Sequence, residues 1–216
     1  MTVFFDLDGT LTDSRPGITA GMAYALTALG RPTAPAEVSD DVIGPPLYDS
    51  FRGIYGLDDA TAREGVRLYR EYYGREGLFV NDVYEGIDDM LTALHSAGHR
   101  LYIATGKPHE YARRIAAHFG FDRTLSAVYG AEFDGTRGDK ADLLRYALEM
   151  EGLPTEGFMI GDRSYDIRGA LEVGLAPIGV LWGYGDRREL TEAGCPEENL
   201  AATPQDVVKI ILRHLK

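Results

Sequence analysis

Cysteine, lysine and long apolar runs are scarce in this chain of 216 residues, and each shortage excludes something. A single cysteine, Cys195, leaves no internal disulfide and no multi-cysteine metal site, which fits a reducing compartment. The first apolar run stops after four residues at Asp6 with no basic leader before it. Neither a signal peptide nor a membrane span is therefore expected, and the expected location is cytoplasmic. Basic charge is also short, 22 Lys and Arg against 34 Asp and Glu, for a formal net charge of -12. That balance argues against a nucleic-acid partner, whose phosphates are bound by Lys and Arg. It also repels a small phosphorylated molecule at long range, so a site for one must carry its own cations. Only four of the basic residues are lysines, Lys107, Lys140, Lys209 and Lys216, and none lies between residues 15 and 81. The five histidines show no metal spacing.

What is present is organised around the first fourteen residues. A short apolar run over residues 2–5 feeds into Asp6-Leu7-Asp8-Gly9-Thr10-Leu11-Thr12-Asp13-Ser14. A strand ending in two carboxylates at i, i+2 delivers an acidic pair to a sheet edge, where open α/β sheets bind ligands. Asp-Gly alone is also an ordinary turn, so the weight falls on residues further along the chain. A helical period over residues 18–29, with apolar Ile18, Met22, Ala25, Leu26 and Leu29, stops at Gly30. Residues 31–81 read as short helical pieces broken by Pro32, Pro35, Gly44-Pro45-Pro46, Gly53, Gly56 and Gly74, with no strand. Tyr69, Tyr72 and Tyr73 there read as helix–helix packing.

From residue 82 the pattern alternates. Helices are expected over 86–97, 108–119, 139–151, 165–173 and 204–215, and strands over 100–104, 127–129, 157–160 and 177–181. Thr105-Gly106-Lys107-Pro108 falls between the strand that ends at residue 104 and the helix that starts at Pro108. Such alternation builds a parallel sheet with right-handed crossovers. The expected fold is α/β, a Rossmann-like parallel-sheet core of residues 1–14 and 82–216 with an inserted all-helical cap, residues 15–81. Hinges are expected near 14–17 and 80–83.

Three more stretches suggest chemistry. Thr105 follows an apolar strand and precedes a helix, where a hydroxyl and free N–H groups cap the helix or hold phosphate oxygens. Lys140 opens a helix, against the macrodipole and at a cost of about 0.3–1 kcal/mol, which asks for an anionic neighbour. Gly161-Asp162 through Asp166 places two like charges at i, i+4, which Arg163 or Arg168 could relieve. If the first strand and the strand over 157–160 are neighbours, Asp6, Asp162 and Asp166 converge. Each pair would then repel by up to about 4 kcal/mol at ~4 Å and an effective dielectric near ~20. A cation or added protons must relieve them, and an all-oxygen set beside a phosphate favours Mg2+.

These four motifs in this order resemble the haloacid dehalogenase superfamily of phosphatases, and the resemblance spans nearly the whole chain. The helical insertion looks like that family's C1-type cap. The likeness is to the phosphoglycolate phosphatase-like branch. Ile43-Gly44-Pro45-Pro46-Leu47, Ala104-Thr105-Gly106-Lys107-Pro108, Gly135-Thr136-Arg137 and Gly183-Tyr184-Gly185 look like its 5'-nucleotidase-like subgroup. The resemblance implies that Asp6 attacks phosphorus to form an aspartyl phosphate and that Asp8 protonates the leaving oxygen, then activates water. It implies that Thr105 and Lys140 hold the phosphoryl oxygens, and that Mg2+ sits on Asp6, the Asp8 carbonyl, Asp162 and Asp166, the last directly or through water. The implied partner is a small phosphorylated metabolite, with no membrane and with a monomer or homodimer as the assembly.

Particular residues separate the alternatives. A dehalogenase has no use for Asp8 as leaving-group acid. A phosphonate-cleaving relative needs a cap lysine that this insertion lacks. A phosphosugar mutase shares every core motif and differs in its cap. A phospho-accepting receiver domain has its acidic pair and its phosphorylated Asp on different strands and no inserted cap. Leaving-group recognition is expected from Arg15, Tyr48 and Arg52 of the cap with Gly106, Lys107 and Arg137 of the core.

Overall fold

The computed structural model describes residues 1–214, so Leu215 of the expected last helix lies outside the described residues. In chain order the elements are β1 (Thr2–Phe5), β2 (Thr12–Asp13), α1 (Arg15–Ala28), α2 (Leu47–Asp49), α3 (Asp59–Tyr72), β3 (Asp82–Val83), α4 (Ile87–Ser96), β4 (Arg100–Pro108) and α5 (His109–His118). They continue with β5 (Leu125–Ala131), α6 (Lys140–Glu151), β6 (Gly157–Gly161), α7 (Ser164–Val173), β7 (Ala176–Val180), α8 (Arg187–Glu192), β8 (Leu200–Ala201) and α9 (Pro204–Arg213). Contacts divide the chain into two compact units. One is Met1–Thr12 with the described residues from Val83 on, and the other is Asp13–Asp82. A two-stranded ribbon of β2 and β3 marks the two crossing points.

The larger unit is a six-stranded sheet in the order β5-β4-β1-β6-β7-β8, with every pairing parallel. All four residues of β1 and all five of β6 are buried, as strands covered on both faces by helices must be. The strand order reverses between β1 and β6, and in open α/β sheets that reversal leaves a crevice beyond the strand C-termini. Register fixes what lies there. Phe5 pairs with Ile103 and Ile160, so Asp6, Ala104 and Gly161 come next on three adjacent strands. Helices α6 and α7 pack through Ala141, Leu144, Ala147, Ala170 and Val173 against Phe4, Tyr102 and Met159. Each large apolar side chain so buried contributes about 1.5–3 kcal/mol.

Four details differ from the sequence reading. Strand β4 runs on through Thr105-Gly106-Lys107-Pro108, past the expected end at residue 104, because its pairing with β5 shifts register between Thr105 and Pro108 and accommodates Gly and Pro. Helix α5 accordingly starts at His109 with Pro108 in the N-cap position. Helix α8 and strand β8 were not expected, being six and two residues long, too short to show a period. The ribbon of β2 and β3 was likewise missed.

The smaller unit is helical between Arg15 and Gly77, with α1 against α3. Tyr24 stacks on Tyr72 with ring centroids 5.0 Å apart, and Tyr69 on Tyr73 at 5.2 Å, so these tyrosines are packing groups. No helix among the described residues is long and apolar enough to cross a membrane.

Candidate active site

The turn after β1 is built by its own backbone. Leu7 O accepts from the N–H groups of Leu11 at 2.9 Å and Thr12 at 3.0 Å, and Gly9 N–H donates to Thr12 O at 2.8 Å. Gly9 has φ +82°, a left-handed conformation natural to glycine. The Asp-Gly turn and the acidic pair are therefore one feature, since the turn follows directly on the strand that leads into Asp6 and carries Asp8.

Lys140 ties three elements together. Its Nζ lies 3.1 Å from Asp6 Oδ1, 2.7 Å from Asp166 Oδ1 and 2.8 Å from the Ala104 carbonyl. Three ammonium protons thus meet three acceptors. Asp139 caps α6 by accepting from the Ala141 and Asp142 N–H groups, which fixes where the lysine stem starts. Burial alone would lower the Lys140 pKa, yet the Asp166 and Asp6 carboxylates hold it above its ordinary value. The anionic neighbour that the helix start asked for is this carboxylate pair. Of the two arginines expected to relieve the Asp162 and Asp166 charges, Arg163 is held charged in part by Asp162. Arg163 also pairs with Glu189 at 3.0 Å, and its backbone N–H reaches Asp166, at 3.1 Å to Oδ2.

Asp162 is fully buried. Its Oδ1 accepts from the Thr10 hydroxyl at 3.1 Å and its Oδ2 from the Tyr184 N–H at 2.8 Å. Burial, then the charges of Asp166 and Asp6, push its pKa up to about 8. Burial also raises Asp166, to about 6, against the pull of Lys140. Asp6, Asp162 and Asp166 each offer an oxygen within 4.8 Å of the others. Three carboxylates facing one ammonium form a donor set short of positive charge, and oxygen-only ligands of this kind fit a hard divalent cation.

Asp8 has a different partner. Lys107 Nζ lies 2.6 Å from its Oδ2 and 2.9 Å from its Oδ1, and the lysine side chain is 5 % exposed. Lys107, expected to bind substrate directly, is thus engaged with Asp8. Thr105 is buried, and its Oγ1 accepts from the Lys107 N–H at 3.3 Å, while Gly106 is exposed. Arg137 pairs with Glu132 and lies 4.3 Å over the Tyr146 ring. Within the helical unit Arg15 pairs with Asp40 at 2.8 Å, Tyr48 donates to Asp59, and Arg52 donates to the Leu57 carbonyl at 2.6 Å. Sequence reasoning missed the Thr10 hydroxyl, the Tyr184 N–H and Glu189. Thr10 was readable as part of the acidic turn, whereas a backbone N–H leaves no trace in composition.

A protein-family model described as haloacid dehalogenase-like hydrolase matches residues 1–174. The chain belongs to the haloacid dehalogenase-like hydrolase family. Among curated relatives, a 5'-nucleotidase of Pseudomonas aeruginosa is 49% identical over 189 residues, 87% of this chain and 86% of that protein. The tyrosine-protein kinase PtkA of Mycobacterium tuberculosis is 41% identical over 184 residues, 85% of this chain but 62% of that protein. A phosphoglycolate phosphatase of Vibrio parahaemolyticus is 28% identical, with 84% of each chain covered. A crystal structure of a predicted phosphatase from Clostridium acetobutylicum superposes with TM-score 0.91 at 37% identity, covering 98% of each chain. As a haloacid dehalogenase-like hydrolase with these phosphatase relatives, the chain is a phosphoric monoester hydrolase.

Proposed function

We propose that this hydrolase is Mg2+-dependent, works through an aspartyl phosphate on Asp6, and takes nucleoside 5'-monophosphates as its substrate class. The observation that carries the reading is the convergence of the Lys140 ammonium on Asp6 and Asp166, with Asp162 beside them. One Asp6 oxygen attacks phosphorus as the ester P–O bond breaks, and Asp8 gives its proton to the departing oxygen. Water then attacks the aspartyl phosphorus, Asp8 takes the water proton, and the acyl-phosphate P–O bond breaks to release phosphate. Lys140 and Thr105 hold and neutralise the phosphoryl oxygens. Asp6, the Asp8 carbonyl, Asp162 and Asp166 would hold Mg2+, which supplies positive charge that lets one anion approach another. Lys107, hydrogen-bonded to both Asp8 oxygens, fixes the direction in which that carboxyl faces.

The substrate class is ordered by similarity. A 5'-nucleotidase at 49% identity stands ahead of a phosphoglycolate phosphatase at 28%, which favours the 5'-nucleotidase-like subgroup over the wider phosphoglycolate phosphatase-like branch. The helical unit is assigned the role of a cap that selects the leaving group through Arg15, Tyr48 and Arg52, with Arg137 of the core. The test is phosphate release by the purified chain from nucleoside monophosphates, phosphoglycolate, sugar phosphates and a phosphotyrosine peptide. Turnover with Mg2+, its loss in EDTA and in Asp6→Asn, and the highest kcat/KM on a nucleoside monophosphate are expected. A preference that survives Arg52→Ala and Tyr48→Phe unchanged would remove those residues from selection, and activity in Asp6→Asn would end the covalent reading.

A further inference from the structure

The segment after β7 holds no residue that the reaction uses, yet it touches three parts of the site. Trp182, the chain's one tryptophan, donates its indole Nε1–H to the Thr10 carbonyl at 3.0 Å, on the turn that follows Asp6. Two residues on, the Tyr184 N–H donates to Asp162 Oδ2 at 2.8 Å. Beyond the bend, Glu189 on α8 accepts from the Ser164 N–H at 2.8 Å and from Arg163 Nε at 3.0 Å. Ser164 is the first residue of α7, the helix that carries Asp166. The Glu189 carboxylate is correspondingly held below its ordinary pKa, because these hydrogen bonds outweigh its burial. The fit is close as well: a Cβ on Gly185 would overlap the Asp162 carbonyl oxygen, and one on Gly183 would overlap the Gly9 carbonyl oxygen. Both obstacles are backbone and cannot swing aside.

We propose that residues 182–189 form a positioning clasp, which aims the Asp162 carboxylate and holds the Asp6 turn and the Asp166 helix in register for a divalent cation. The clasp rests on the reading that Asp6, Asp162 and Asp166 hold Mg2+. Asp162 carries one donated hydrogen bond on each oxygen, from Thr10 and from Tyr184, which leaves lone pairs on both for a cation. Hydrogen bonds that orient a metal-binding side chain commonly govern metal affinity by about 10–100-fold. The tether from Trp182 matters for the same reason at longer reach. It fastens the clasp to the turn whose Thr10 hydroxyl completes the Asp162 pair, so loosening it frees both donors together. Trp182, Tyr184 and Glu189 are positioning residues, since none of them is placed to touch the phosphoryl group.

The experiment is calorimetric titration of the full chain with Mg2+ alone, without substrate, beside thermal melts in EDTA. Trp182→Phe keeps an aromatic ring and removes the indole N–H, Gly185→Ala pushes the clasp off Asp162, and Asp162→Asn reports on the metal site itself. Mg2+ affinity is expected to fall about tenfold in Trp182→Phe and about 10–100-fold in Gly185→Ala, with the EDTA melting temperature of Trp182→Phe close to that of the parent chain. If Gly185→Ala does not fold, Trp182→Phe alone decides. Parent-like affinity in Trp182→Phe, with or without a lowered melting temperature, overturns the clasp and assigns Trp182 to packing. No Mg2+ binding by the parent chain, or undiminished binding by Asp162→Asn, overturns the metal reading and the clasp with it.

Discussion

Buried ion pairs set the larger unit apart from the helical one. In the helical unit, arginines pair on the surface with carboxylates three or four residues away: Arg63 with Asp59, and Arg67 with both Glu64 and Glu71. Water screens such pairs, and they stabilise a helix only slightly. The larger unit has exposed pairs of the same kind, such as Arg145 with Asp142 and Arg188 with Glu192, but it also holds buried pairs that join distant parts of the chain. Lys140 meets Asp6 across 134 positions and Lys107 meets Asp8 across 99. Taking charged groups out of water costs several kcal/mol per ion, and apolar residues of similar volume would often serve stability better. The proposed mechanism gives these buried charges a use that stability does not. On the proposed mechanism, the difference separates residues that hold a helix from residues that do work on a substrate.

The largest effect expected from breaking this contrast is on turnover. Asp6→Asn removes the proposed nucleophile and is expected to lower kcat by at least about 10^4-fold, measured as phosphate release from the preferred substrate. Lys140→Met comes next. It leaves Asp6 and Asp166 facing each other without their shared cation, and the metal-free protein is expected to lose about 3–5 kcal/mol of stability. Urea unfolding in EDTA measures that loss. A Lys140→Met chain as stable as the parent would show that the buried ammonium is not what balances the two carboxylates.

Titration sharpens the comparison because the shifts have a definite sign. Asp162, held near 8, and Asp166, near 6, keep protons in the folded metal-free protein that the unfolded chain releases near its ordinary carboxylate range. Stability from these groups is therefore fully present below about pH 4. It falls as pH rises, first through the Asp166 value and then through that of Asp162, by up to about 1.4 kcal/mol per pH unit per group. Protons and Mg2+ compete for the same oxygens, so Mg2+ affinity should rise over the same window. Thermal melts at pH 5, 6, 7 and 8 in EDTA are expected to decline and Mg2+ to reverse the decline, while Asp162→Asn flattens the upper part of the slope. A flat EDTA series would mean that these carboxylates are not held protonated.

Much of this was legible because the informative residues contradict their local setting. Two acids at the end of a buried strand and a lysine at a helix start each carry a local cost, and a cost in sequence points to a partner elsewhere. Asp6, Asp162 and Asp166 could be brought together from sequence once β1 and β6 were taken as neighbours, which their register bears out. The partner of Lys107 was not readable, since nothing local singles out Asp8 over a phosphate. The path through Thr105-Gly106-Lys107-Pro108 was misread for a related reason: Gly and Pro usually punctuate strands, and only the shifted pairing with β5 lets β4 continue. Helix α8 escaped because Leu190 is its one buried residue, too little to show a period. The clasp escaped because most of its hydrogen bonds have a backbone group at one end.

The smallest expected effect is the most direct check on the surface half of the comparison. Arg67 lies between Glu64, at 2.7 Å, and Glu71, at 3.0 Å, and more than half of its side chain is exposed. Arg67→Ala removes both pairs at once, yet each was already solvated on its open side and each held a long side chain at an entropic cost. The melting temperature should shift by less than about 2 °C, and raising the salt concentration should shrink even that difference, because mobile ions screen exposed pairs first. Phosphate release should be unchanged. A larger loss of stability, or one that persists in high salt, would mean that the surface network of the helical unit is cooperative, and the contrast with the buried lysines would then be one of degree.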